Sequence, residues 1–198
     1  MGKIFIYVPS INIYVAKQKT HLGKNWFDCH KEFQKNKKKM LTVPEFIEFL
    51  KYLKSQPNNQ EYQKIYREIT EVRGPWRVEL LDASFKVKNE KLYINYYHSF
   101  NKRGYLIPKS SKILNKNTLM HDDSEGISLE DWLENPTKQG FPRKKIKPGE
   151  MYYRYPKDDN NSIVRFEASR WGVGLECDNS PHLKDLRIGA RACKEKLK

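Results

Sequence analysis

The hydrophobic pattern changes period along the chain, and each change marks an element. Ile4–Val8 and Ile11–Val15 are rich in β-branched and aromatic residues and predict two short strands parted at Pro9-Ser10. Trp26, Phe27, His30 and Phe33 then recur at helical spacing and predict a helix ending in a lysine run. Thr42-Val43-Pro44-Glu45 has the form of a capping box with Pro in the first turn, followed by the stripe Phe46, Phe49, Leu50, Leu53. A third helix is expected from about Gln60 to Val72, with Tyr62, Ile65, Tyr66 and Ile69 inward and Gly74-Pro75 as the stop.

From Arg77 the period falls to two. Val78, Leu80, Phe85 and Val87 alternate with polar residues, as do Leu92, Ile94 and Tyr96 beyond a turn at Asn89-Glu90, which predicts a hairpin. Ser99–Glu125 is expected to be loop, since Pro108 and an acidic run interrupt it. Ser128–Leu133 predicts a short capped helix, Gly140–Gly149 a basic loop, and Met151–Tyr155 a strand, with a turn at Asp158–Asn161. In the tail, Val173, Leu175 and Cys177 alternate with Gly174 and Glu176, so one face should meet the core and the other solvent. Helices in the first half and strands at both ends give an α+β chain, expected to be one domain over residues 1–198.

The formal charge of +14 raises the question of a polyanionic partner. The positive residues are scattered, apart from Lys35–Lys39 and Arg143–Lys147, and neither cluster is interleaved with aromatics that stack on bases. A lysine-rich solvated surface is therefore favoured over a nucleic-acid groove. Twelve Tyr, nine Phe and four Trp supply enough apolar area to exclude disorder.

Cys29, Cys177 and Cys193 show no zinc-type spacing. They are read as reduced, with a Cys177–Cys193 pairing left open. The histidines are spread out with no i, i+4 pair, so no metal or other cofactor is expected, and His30 reads as a satisfied core residue. The acidic run Asp122–Glu125 reads as a solvated turn rather than a calcium loop. No Ser-His-Asp or phosphate-loop signature appears. No segment approaches the about 18 apolar residues of a membrane span, and no signal-peptide core is visible, so a cytoplasmic or virion-associated chain is expected.

The tail also carries a specific resemblance. Ser162-Ile163-Val164-Arg165-Phe166, then Cys177, Pro181 and, after the loop, Ile188-Gly189-Ala190-Arg191-Ala192 resembles the variable region of diversity-generating retroelement target proteins. Met40–Phe46 is similar to a helix start of the related formylglycine-generating-enzyme fold. The resemblance implies a C-type-lectin-like fold, with N-terminal helices and a small, mainly antiparallel twisted sheet, and a ligand-binding segment at 160–192. The implied displayed positions are Glu167, Ser169, Trp171, Gly174, Glu176, Asp178, Ser180, Leu183, Asp185 and Arg187, gathered on one solvent-facing patch with Trp171 as anchor. The mix of acid, aromatic and Arg suits a protein ligand. The implied role is recognition without chemistry. A basic nucleic-acid binder and a degenerate formylglycine-generating-type enzyme are the alternatives, although Cys177 and Cys193 lack that enzyme's surrounding residues.

Overall fold

The computed structural model describes residues 4–121, 126–157 and 162–196. The acidic run 122–125 and the turn 158–161 lie outside the described residues. Strands β1 (Phe5–Val8) and β2 (Ile13–Ala16) form a hairpin over a single helical turn. Helix α1 (Trp26–Lys35) starts where the Asn25 side chain accepts from Asp28 N, and it buries Trp26, Cys29, His30 and Phe33 at spacings of three and four. After the short β3 (Lys39–Met40), helix α2 (Val43–Lys54) begins with both bonds of the expected capping box, between Thr42 and Glu45. Helix α3 (Gln60–Thr70) is capped by Asn59 and ends two residues before the expected last residue, Val72.

Strands β4 (Arg77–Lys88) and β5 (Lys91–Phe100) pair antiparallel through Asn89 and Glu90, both at positive φ, the geometry that matches strand twist in a tight hairpin. The expected loop after Ser99 instead contains β6 (Leu106–Ile113), paired to β5. Pro108 has no backbone N–H to donate to a strand ladder. It is tolerated because β6 lies at the sheet edge and most of its residues are solvent-exposed. Helix α4 (Leu129–Glu134), capped by Ser128, precedes β7 (Met151–Arg154), β8 (Ile163–Ser169), β9 (Gly172–Asn179), β10 (Ile188–Ala190) and β11 (Ala192–Glu195).

These strands make two sheets, β1-β2-β11-β3 and β6-β5-β4-β8-β9-β7, with β10 added parallel to the first half of β4. The pairing is mainly antiparallel, and the chain is a mixed α and β protein. Among the described residues no helix is long and apolar enough to cross a membrane.

The large sheet is covered on both faces over much of its area. One core joins α2, α3 and α4 to the sheet through Phe46, Phe49, Leu50, Ile69, Trp132, Phe166 and Leu175. A second core packs Trp26, Cys29 and Phe33 of α1 against Val78, Leu80, Ile163 and Ile188. The expected one-sided alternation of the tail is therefore corrected: every residue of β9 from Gly172 to Cys177 is buried. All three cysteines are buried and free, so the Cys177–Cys193 pairing does not form.

Candidate functional site

The β8–β9 register places Arg165 beside Glu176 and Glu167 beside Gly174, so these residues share one sheet face, as the alternation requires. That face is roofed. Tyr152 of β7 lies over Gly174, so close that a Cβ there would stand 2.1 Å from its ring. Trp76 Nε1 donates to Glu167 at 3.1 Å, and the Tyr152 hydroxyl donates to the same carboxylate. Arg165 Nε donates to Glu176 at 2.6 Å, and its Nη2 lies 3.1 Å from Glu167.

Display of Glu167, Ser169, Gly174 and Glu176 is thus corrected. All four are buried: two aromatic rings and one guanidinium cover Glu167, Gly174 and Glu176, and the Ser169 hydroxyl is held in the β8–β9 turn, donating to Gly172 O and accepting from Trp171 N. Asp178 and Asp185 are half-buried, with Asp178 paired to Lys157 at 2.9 Å and Asp185 to Arg187 at 2.6 Å. The remaining four positions are exposed. Trp171 is 81% exposed at the β8–β9 turn, with the Arg170 guanidinium over its ring at 4.6 Å. Ser180, Leu183 and Arg187 lie on the loop 180–187, together with Leu186, which the sequence reading passed over and which is also 81% exposed. Arg187 covers the Trp76 ring at 4.8 Å, which ties this loop to the edge of the roofed face.

A second cluster escaped the sequence reading. His30 of α1, Asp82 of β4 and His98 of β5 each offer one ligand-type atom, all within 4.8 Å of one another. His98 faces Asp82 because Tyr97 adopts φ 58°, a left-handed conformation that interrupts strand alternation and turns the next side chain. The Asp82 carboxylate accepts from His98 N at 3.1 Å and from His98 Nδ1 at 2.5 Å. On its far side His98 Nε2 meets Ser84 Oγ at 3.0 Å. Trp26 wedges against both imidazoles, at ring distances of 4.4 Å and 4.8 Å, and is itself fixed by donating to Leu81 O.

His30 is buried but not satisfied, which corrects the sequence expectation. Its Nε2 has no hydrogen-bond partner and stands 3.6 Å from Asp82 Oδ1. Burial pushes the His30 pKa down to about 4, against the attraction of Asp82, so the imidazole is neutral near pH 7. Helix α1 and the β4–β5 hairpin are remote in sequence, so no local spacing could have announced this cluster. Only the polar residues at apolar-stripe positions, His30 and Asp82, hinted at it. Ser84, His98 and Asp82 follow the order of a nucleophile relay, again without a linear signature.

Comparison with known protein families, with curated proteins and with solved structures finds no match to this chain.

Proposed function

We propose that this chain is a ligand-binding display protein of the diversity-generating-retroelement kind, built on a C-type-lectin-like scaffold and directed at a protein ligand. Supporting this reading are the tail motif and the way strands and loop present its exposed members. The contact surface is the loop 180–187, with Leu183, Leu186 and Arg187 outward, and Trp171 is a separate contact point at the β8–β9 turn, at the other end of β9 from Ser180. Glu167 and Glu176 act as a fixed ionic floor under Trp76 and Tyr152, not as contacts.

The observation that carries the reading is the near-complete exposure of Trp171 on an ordered strand turn. A large rigid aromatic left in water is unfavourable for a free surface and typical of a binding anchor. The test is to sequence the DNA flanking the gene together with the tail codons across a natural population. The expected result is a reverse-transcriptase gene beside a near-copy of the codons for residues 160–192 that differs at adenines, with variation at positions 171, 180, 183, 185 and 187. An invariant tail without any such copy overturns the proposal.

A further inference from the structure

We propose that His30, Asp82 and His98 form a binding site for a divalent first-row transition-metal ion, with Ser84 as the outer partner of His98. This site is independent of the ligand-binding surface proposed above.

The donor set fits such an ion. Two imidazoles and one carboxylate suit zinc, iron or cobalt, whereas calcium and magnesium prefer shells made wholly of oxygen. The three residues come from two separate elements, α1 and the β4–β5 hairpin, and their ligand atoms already lie within 4.8 Å of one another. Their side chains are nearly sealed, at 3% exposure for His30, 1% for Asp82 and 4% for His98. Protein groups satisfy both oxygens of Asp82 and both nitrogens of His98, yet His30 Nε2 is left without a partner. A buried imidazole nitrogen with nothing to bond is costly. Aimed at a carboxylate too distant for a hydrogen bond, it is positioned as a ligand.

The surroundings match what a bound imidazole needs. When Nδ1 of His98 turns from the carboxylate to an ion, its proton moves to Nε2, which donates to Ser84 Oγ. The hydroxyl accepts as readily as it donates, so the contact survives. The backbone N–H of His98 stays on Asp82 and orients the carboxylate. Trp26 holds both rings by edge contacts. All three residues line a cleft of about 1010 Å³ that also receives Lys37, Lys38, Lys39 and Lys109. Three side-chain ligands leave a coordination position for water or an anion, and the excess of lysines over Glu45 and Glu195 in the cleft favours an anion there.

The competing account is the serine relay. It explains Ser84, His98 and Asp82 but has no use for His30, and the metal site uses all four.

The test is calorimetric titration of the metal-stripped full chain with Zn2+ and Co2+, with Mg2+ and Ca2+ as controls, alongside the visible spectrum of the Co2+ form. The expected result is one Zn2+ or Co2+ per chain, a Co2+ absorption band abolished by Zn2+, and no binding of Mg2+ or Ca2+. Asp82→Asn and His30→Gln should each weaken Zn2+ binding by at least about 100-fold, and Ser84→Ala by about 10-fold, as expected for an outer partner. His121→Ala and His182→Ala, on dispersed histidines, should leave it unchanged. If a ligand variant fails to fold, the wild-type Co2+ spectrum and the Ser84→Ala titration still decide. No saturable Zn2+ or Co2+ binding by the wild-type chain overturns the proposal. So does binding that follows His121 or His182, or covalent labelling of Ser84 by a fluorophosphonate that persists in His30→Gln.

Discussion

Arg191, in the link between β10 and β11, closes on Glu79 of β4 with Nη2 at 2.7 Å from Oε1, and both side chains are essentially sealed from water. Arg77 donates to the same carboxylate, and Arg191 Nη1 also donates to Ala16 O at 2.8 Å. One guanidinium thus joins the end of the chain to β4 and to the end of β2. Glu79→Gln leaves the buried Arg191 charge uncompensated and should destabilise by about 3–5 kcal/mol, whereas Arg191→Met leaves Glu79 paired to Arg77 and should cost less. Urea unfolding of the single and double variants measures this. The double variant should lose less than the sum of the two.

The same carboxylate sets an acid limit. Burial alone would raise its pKa, but Arg191 and Arg77, by charge and hydrogen bonds, outweigh burial and bring it from 4.5 down to about 2. A carboxylate with a depressed folded pKa stabilises above its unfolded pKa and loses that contribution as pH falls through the folded one. Stability should therefore decline between about pH 4.5 and pH 2, and Glu79→Gln should flatten that arm. Chemical denaturation in steps across this range reads the slope. An unchanged slope in the variant would show that other carboxylates carry the acid sensitivity.

Gly174 has no room for a side chain. A Cβ there meets the Tyr152 ring at 2.1 Å, and the ring is fixed by its hydroxyl on Glu167. Gly174→Ala should destabilise by about 1–3 kcal/mol through overpacking. Adding Tyr152→Ala should make the Gly174→Ala step nearly neutral. Thermal melts of the four-member cycle test the coupling.

The thiols should be inert in the folded state. Burial pushes Cys29 up to about 12, and burial also raises Cys177 and Cys193 well above the normal range. Iodoacetamide at neutral pH is expected to modify none of the three until denaturant is added. Rapid alkylation of Cys177 or Cys193 in native protein would revive the formylglycine-generating-type alternative.

Trp171 is 81% exposed and its ring meets the neighbouring Arg170 guanidinium. Trp171→Ala should change stability by no more than about 0.5 kcal/mol. Acrylamide should quench a larger share of the indole fluorescence in wild type than in this variant, because Trp26 and Trp132 are buried and Trp76 is half-buried beneath Arg165 and Arg187.

The sequence was legible where one local rule decided the outcome. The Thr42–Glu45 capping box, the Asn89-Glu90 turn and the heptad-like burial of α1 all follow from spacing within a few residues. The shared face of Glu167, Gly174 and Glu176 was legible for the same reason. Its exposure was not, because Trp76 and Tyr152 arrive from other segments to cover it. The edge strand β6 was hidden by Pro108, whose missing N–H matters only when a neighbour needs it. His30, Asp82 and His98 were invisible as a group, since a helix and a hairpin far apart in sequence supply them and a single left-handed residue, Tyr97, aims one of the three.

Strand β11 sits in the middle of the small sheet, between β2 and β3. During synthesis the opening hairpin must therefore wait beside an empty slot until residues 192–195 leave the ribosome. A nascent chain stalled before Cys193 would expose two unpaired strand edges at once. Its vulnerability to aggregation should fall when β11 pairs between them.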